Sequence, residues 1–254
     1  MEVLRQTNPQ DVSNTVWAVA TLQQQIPAQQ LQQVLQHFLK ILPQTNPQNV
    51  SNTLWAVATL QQQIPAQQLQ QLLQHFVQVL PWAKPQEVSN TLWAVASMQQ
   101  QMPEQHLHRV LFRHLQQTEQ RFVKVLAQAT SQNVSNTLLA CAKLQYRPQQ
   151  LLSALEHNPQ QLQTLLAAAI SQELSNMAWA CGQLGYKGRH LPGVLLQQAV
   201  KLHAGRASSL TVQGLSTLCW AAAVLDVQRI VPQVLQLAVP KMQWGTVDWA
   251  LELE

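Results

Sequence analysis

The residues best suited to chemistry in this chain recur at one register. Asn14, Asn52, Asn90, Asn136 and Asn176 each follow a serine on the polar side of the same short motif. A carboxamide both donates and accepts, which suits it to the edge of an unpaired nucleobase. One side chain repeated from unit to unit equally suits a ladder of hydrogen bonds between neighbours, and the residues alone leave both roles open. Three residues earlier stands a position that changes while its surroundings stay fixed: Asp11, Asn49, Glu87, Asn133 and Glu173, with Gln213 taken as the sixth. Amides and acids there could distinguish bases, an amide pairing with adenine and an acid accepting from cytosine. The same position falls at a helix start, where acids are favoured without any ligand. A second varying position, two turns beyond the asparagine, holds Thr21, Thr59, Ser97, Lys143, Gln183 and Val224. Lys143 and Gln183 are the strongest hydrogen-bond donors of that set.

Cations could hold the backbone of a strand whose bases are read in this way. Residues 105–206 carry ten Lys and Arg against three acids, although the whole chain has a net charge of only +4. Arg109, Arg113, Arg121, Lys124, Arg147, Lys187 and Arg189 are the candidate phosphate contacts, since a basic stretch attracts phosphates through counterion release. Scattered basic residues also make an ordinary solvated face. Trp17, Trp55, Trp93, Trp179 and Trp220 could stack on bases, but each stands beside Ala, Leu or Val at core spacing, so inter-unit packing is the expectation. No nucleophile elbow, phosphate-cradling glycine loop or HExxH motif is present, and His106, His108 and His114 lack zinc-site spacing. The chain is read as a non-enzyme without cofactor, metal or small-molecule substrate. Cys141, Cys181 and Cys219 are too few and too far apart for a disulfide framework and read as small buried hydrophobes.

The elements that position these residues follow from periodicity. Val12-Ser13-Asn14-Thr15-Val16-Trp17-Ala18-Val19-Ala20 returns almost unchanged at Val50–Ala58 and Val88–Ala96, and in weaker copies from Val134, Leu174 and Leu215. The serines at 13, 51, 89, 135, 175 and 216 step by 38, 38, 46, 40 and 41 residues. Each unit reads as two helices. Asn46 can cap the first and Pro47 suits its first turn. Val50, Leu54, Val57 and Leu60 then recur at helical spacing. Pro65 opens the second helix, an amphipathic run over Gln68–Leu80 that ends at Pro81. Two-helix units apolar on more than one side must stack, so an all-α solenoid of about six repeats is expected. The units span roughly 9–46, 47–84, 85–130, 131–170, 171–211 and 212–254, with first helices on the inner wall and second helices outside. Eight extra residues between Leu111 and Glu119 predict a second helix two turns longer in the third unit. The polar share of the composition is glutamine, 46 of 254 residues, and Gln29, Gln32, Gln33 and Gln36 place it on the outer helix. No apolar run reaches the roughly 18 residues of a membrane span. Val3-Leu4 matches the end of a second helix and Trp244–Glu254 the start of a first one, so the chain reads as a section of a longer array.

The string Ser-Asn-Thr-Leu-Trp-Ala at this period resembles the octotricopeptide repeat family, most sharply at Ser51–Leu60, Ser89–Met98 and Asn176–Tyr186. The resemblance covers essentially the whole chain, with Leu139 standing where the pattern has tryptophan. It implies an α-solenoid that binds single-stranded RNA in a chloroplast or mitochondrion and supports transcript stability, processing or translation. Members often end in a nuclease-like domain, and nothing in this chain resembles one. No organelle presequence is visible in Met1–Arg5. The alternative expectation is a protein-interaction scaffold, the use to which HEAT, armadillo and tetratricopeptide solenoids mostly put the same architecture.

Overall fold

The computed structural model describes residues 7–24, 26–99, 104–205, 211–227 and 229–238. Among these residues the chain is all-helical, with thirteen α-helices and no strand. The first helices of successive units are α1 (Pro9–Thr21), α3 (Pro47–Thr59), α5 (Pro85–Ser97), α7 (Ser131–Lys143), α10 (Ser171–Gln183) and α12 (Val212–Val224). The second helices are α2 (Ala28–Lys40), α4 (Ala66–Val79), α6 (Glu104–Val125), the pair α8 (Gln149–His157) and α9 (Pro159–Ala167), α11 (Leu191–Gly205) and α13 (Val231–Ala238).

Each first helix starts and stops for a local reason. Asn46 Oδ1 accepts from the Asn49 amide while Asn49 Oδ1 accepts from the Asn46 amide, which satisfies two donors that the helix leaves orphaned. Asn8 with Asp11 and Thr130 with Asn133 close the same reciprocal box. Lys84 and Ile170 have no acceptor side chain at the cap, and there only Glu87 and Glu173 reach back to the preceding amide. In the sixth unit the cap is Thr211, bonded to the amide of Gly214. Gly214 therefore stands at the first varying position, and Gln213, expected there, falls one residue short. Helices α1, α3, α7, α10 and α12 end alike. Gln23, Gln61, Gln145, Gly185 and Asp226 take the left-handed conformation, with φ between 52° and 59°. The Tyr146 and Tyr186 amides then bond back to the carbonyls of Cys141 and Cys181, closing a Schellman turn. Gly185 alone meets that conformation without a Cβ penalty.

Packing makes the first helices a row. The most extensive interfaces run α1–α3–α5–α7–α10–α12, while contacts between successive second helices are lighter. Small residues allow this approach. Ser13, Ser51, Ser89 and Ser135 are fully buried, as are Ala56, Ala94 and Ala180. Phe38, Phe76 and Phe122 from the second helices close the other side of one continuous core. Two departures from regularity matter. Helix α6 has 22 residues against 14 in α4, and so takes up the eight extra residues as two more turns. The second helix of the fourth unit is broken at Pro159, which cannot continue a helix from α8, and Asn158 caps α9 in its place.

Candidate nucleic-acid interface

One stripe of every first helix is left outside the core. In α3 the residues that keep solvent exposure are Gln48, Asn52, Trp55 and Thr59, spaced by four, three and four. This is the helical repeat of a single face. The same face carries Gln10, Asn14, Trp17 and Thr21 in α1, and Gln86, Asn90, Trp93 and Ser97 in α5. It continues as Gln132, Asn136, Leu139 and Lys143 in α7, then Gln172, Asn176, Trp179 and Gln183 in α10. In α12 it holds Gln213, Thr217, Trp220 and Val224. Because the first helices pack side by side, these stripes lie in neighbouring rows.

The stripe separates the predicted residues into two groups. Asn14 is exposed and Asn52, Asn90, Asn136 and Asn176 are half-buried. None of these five side chains bonds to another group among the described residues, so no inter-unit ladder runs through them and their donors and acceptors remain available. The first varying position is committed elsewhere. Asn49 and Asn133 are only 5% and 8% exposed. Beyond capping their own helices, they donate through Nδ2 to Ser13 Oγ (3.2 Å) and Ser89 Oγ (3.3 Å) of the preceding unit. Glu173 accepts from Ser131 Oγ at 2.7 Å and from the Ile170 amide. Half-buried Glu87 and exposed Asp11 are likewise engaged at their helix starts. Bonds between units, one of the two roles open to the asparagines, are thus made instead by Asn49, Asn133 and Glu173 at this position.

The tryptophans are not core residues. Trp17 and Trp220 are 42% and 38% exposed, and Trp55, Trp93 and Trp179 pack at the core's edge. Trp17, Trp55 and Trp93 form a tilted ladder with ring centroids 6.3 Å apart at each step. An indole is too large for the gap between helices that approach over Ser and Ala, so it lies across the neighbour. Trp220 does this over Gly182, where an added Cβ would meet the ring at 2.6 Å. The ladder has one missing rung, Leu139.

Beside that rung a cleft of about 760 Å³ opens between α5, α7 and α10. The second varying position of three consecutive units, Ser97, Lys143 and Gln183, lines it together with Arg147 and Trp179. Its charged lining residues are Lys143 and Arg147, and no acid is among them. Arg147 lies with its guanidinium carbon 5.7 Å from the centre of the Tyr186 ring, a cation–π contact that orients it. Of the other candidate cations, Lys124, Lys187 and Arg189 are exposed, while Arg121 donates to the Ala83 carbonyl. Arg109 and Arg113 stand on α6, their side chains outside the described residues.

Two acids that the repeat pattern does not single out hold this half of the molecule. Glu119, 4% exposed, accepts from the Tyr146 hydroxyl and from the amides of Gln150 and Leu151 at 2.6 and 3.0 Å. Glu156 repeats the arrangement with the Tyr186 hydroxyl and the amides of His190 and Leu191. Desolvation works to raise the Glu156 carboxyl, but hydrogen bonds from Leu191, His190 and Tyr186 prevail and hold it below 4.5. Burial and the neighbouring carboxylates push both tyrosines up, Tyr186 to about 12. Burial also raises the Cys141 thiol, and raises Cys181 to about 12, so both stay protonated and non-nucleophilic at neutral pH. A signal for these latches was present. The chain's two tyrosines stand 40 residues apart at the same register, each served by an acid from the preceding unit.

Among the described residues no group of three or more His, Cys, Asp or Glu could hold a metal, and no helix is long and apolar enough to cross a membrane. No protein-family profile matches the chain, and no curated protein matches it.

Proposed function

We propose that the chain forms an α-solenoid that binds single-stranded RNA along the exposed stripe of its first helices. The observation that carries this reading is the composition of the stripe. It is glutamine, asparagine and an indole, repeated from α1 to α10 with Leu139 the one substitution, while the fourth residue changes between units. Stacking on aromatic faces tolerates any base, and free carboxamides can bond base edges. A fixed platform beside a changing residue is the layout that one-unit-per-base readout requires. The asparagines support it further, since unbonded amides at five equivalent places gain the fold nothing. Tighter packing of the first-helix row curves an array towards that row, which would bring the stripes onto a concave wall suited to a flexible strand. Base selectivity is assigned to the second varying position, above all to exposed Ser97, Lys143 and Gln183, because the first is used for capping, while the Thr21 hydroxyl donates to the Trp17 carbonyl and the Thr59 hydroxyl is buried. Binding in a chloroplast or mitochondrion, in support of transcript stability, processing or translation, is what the octotricopeptide resemblance adds.

Titrating the chain with a random single-stranded RNA pool over a range of salt tests the reading. The logarithm of affinity should fall linearly with log salt, by about 0.7 per phosphate contacted. Undetectable binding at about 50 mM salt, where phosphate contacts are only weakly screened, would transfer the stripe to a protein partner.

A further inference from the structure

The missing rung lies one helical turn from the cationic cleft, whose lining includes Trp179 but not Leu139 itself. Leu139 stands one helical turn before Lys143 on the same stripe, between Trp93 of the preceding unit and Trp179 of the next. Its side chain is shorter and narrower than an indole, so the row of rings is interrupted where Lys143 and Arg147 bring two positive charges into one cleft. The volume of about 760 Å³ falls in the range of small-ligand pockets, roughly 300–1,000 Å³. Its walls are of two kinds. Trp179, Leu184 and Ala142 offer apolar surface, while Lys143, Arg147 and Gln183 offer donors. Arg147 does not need a ligand to set its direction, because Tyr186 holds it and Glu156 holds Tyr186.

We propose that this cleft anchors one nucleotide of the bound strand, with its base on the Trp179 ring in the space an indole at position 139 would take and its phosphate on Lys143 and Arg147. The anchor sets the register from which the neighbouring units meet successive bases. A uniform aromatic ladder has no such reference point, since a strand shifted by one nucleotide meets the same platform. The inference rests on the RNA reading above and names the place where it is most specific.

The test uses the whole chain and the tightest-binding oligoribonucleotide selected from a random pool. Lys143→Gln with Arg147→Gln should weaken binding about tenfold or more, equivalent to about 1.4 kcal/mol. It should also reduce the salt slope by about 0.7 for each phosphate that is no longer neutralised. Lys40→Gln with Lys201→Gln, which removes two exposed cations from the second helices, should change affinity less than threefold and is the control for net charge. Leu139→Trp restores the residue that the first three units tolerate at this place, and circular dichroism checks that its melting temperature is retained. An abasic residue walked along the oligonucleotide should find one position whose penalty disappears in Leu139→Trp while the other penalties persist. If the cleft variant binds like the control, or if no abasic penalty depends on residue 139, the anchor is wrong and the RNA reading stands. If the unaltered chain binds no single-stranded RNA, both fall together.

Discussion

The first three units and the two that follow solve the same packing problem differently. In units one to three the rings of Trp17, Trp55 and Trp93 lie in an unbroken ladder, and the turn after the first helix carries only glutamine and aliphatic side chains. In units four and five the ladder loses a rung at Leu139, and the turns carry Tyr146 and Tyr186, each fixed by a glutamate that also caps the next helix. The first region is thus held by ring contacts repeated at the same spacing. The second is held by carboxylates taken partly or wholly out of water. Carboxylates so placed must be fully bonded to be tolerated, and both are. That rigid scaffold supports the positive cleft, since Arg147 leans on a latched tyrosine. Regular stacking makes a uniform surface, and a distinguishable site required the regularity to be broken.

The largest effect should come from removing a latch. Glu119→Ala leaves the buried Tyr146 hydroxyl and two helix-start amides without their acceptor, and should cost about 3 kcal/mol or more in urea unfolding. In the first region Asn49→Ala removes the acceptor of the Asn46 amide and one bond to Ser13, and should cost about 1–2 kcal/mol. Equal costs would erase the distinction between the regions. Trp55→Leu gives the second unit the residue of the fourth. It removes two ring contacts and should cost about 1–2 kcal/mol by the same measurement. A neutral result would show the ladder to be a surface alone.

The two regions also differ in their response to pH. The Glu156 carboxyl is held below 4.5, so its stabilisation is present above that pH and is lost as the pH falls through its lower folded-state value. Tyr186 has the opposite sign. Raised from 10.0 to about 12, it stabilises the fold below pH 10 and loses that contribution as the pH climbs between the two. Hydrogen exchange followed at both extremes should show α10 and α11 opening before α1 and α3. Glu156→Gln should flatten the acid limb. Simultaneous opening of both regions would contradict the account.

The smallest expected effect concerns the first varying position. Glu87→Asn installs the residue found at Asn49 and Asn133, and should change stability by less than about 1 kcal/mol while leaving RNA base preference unaltered. A shift in preference at one nucleotide would return readout to this position.

Periodicity made the helices legible, because Pro47, Asn46 and the serine register mark each start independently of tertiary contacts. The longer α6 followed from counting residues. The assignment of faces was harder to read. Asn49 and Asn52 lie three residues apart on one helix, and a polar residue facing a neighbouring unit looks the same in sequence as one facing solvent. Their separation became visible only through Ser13, a partner 36 residues away. The tryptophans do pack between units, as their register implied, but at the rim, since spacing beside Ala and Val cannot tell a core position from the rim of a row packed too closely to admit an indole. The glutamate latches rest on contacts between units, for which the sequence offers only the matching register of Tyr146 and Tyr186.

The central claim is that the stripe exists for a ligand and not for the fold, and its asparagines test this most directly. Replacing Asn52, Asn90 and Asn136 together by alanine removes no hydrogen bond within the described protein. The melting temperature should therefore stay within a few degrees, while affinity for the selected RNA falls tenfold or more, the loss expected of about 1.4 kcal/mol or more of binding energy. Unchanged RNA affinity at unchanged stability would contradict the account and remove the first-helix stripe from any part in binding.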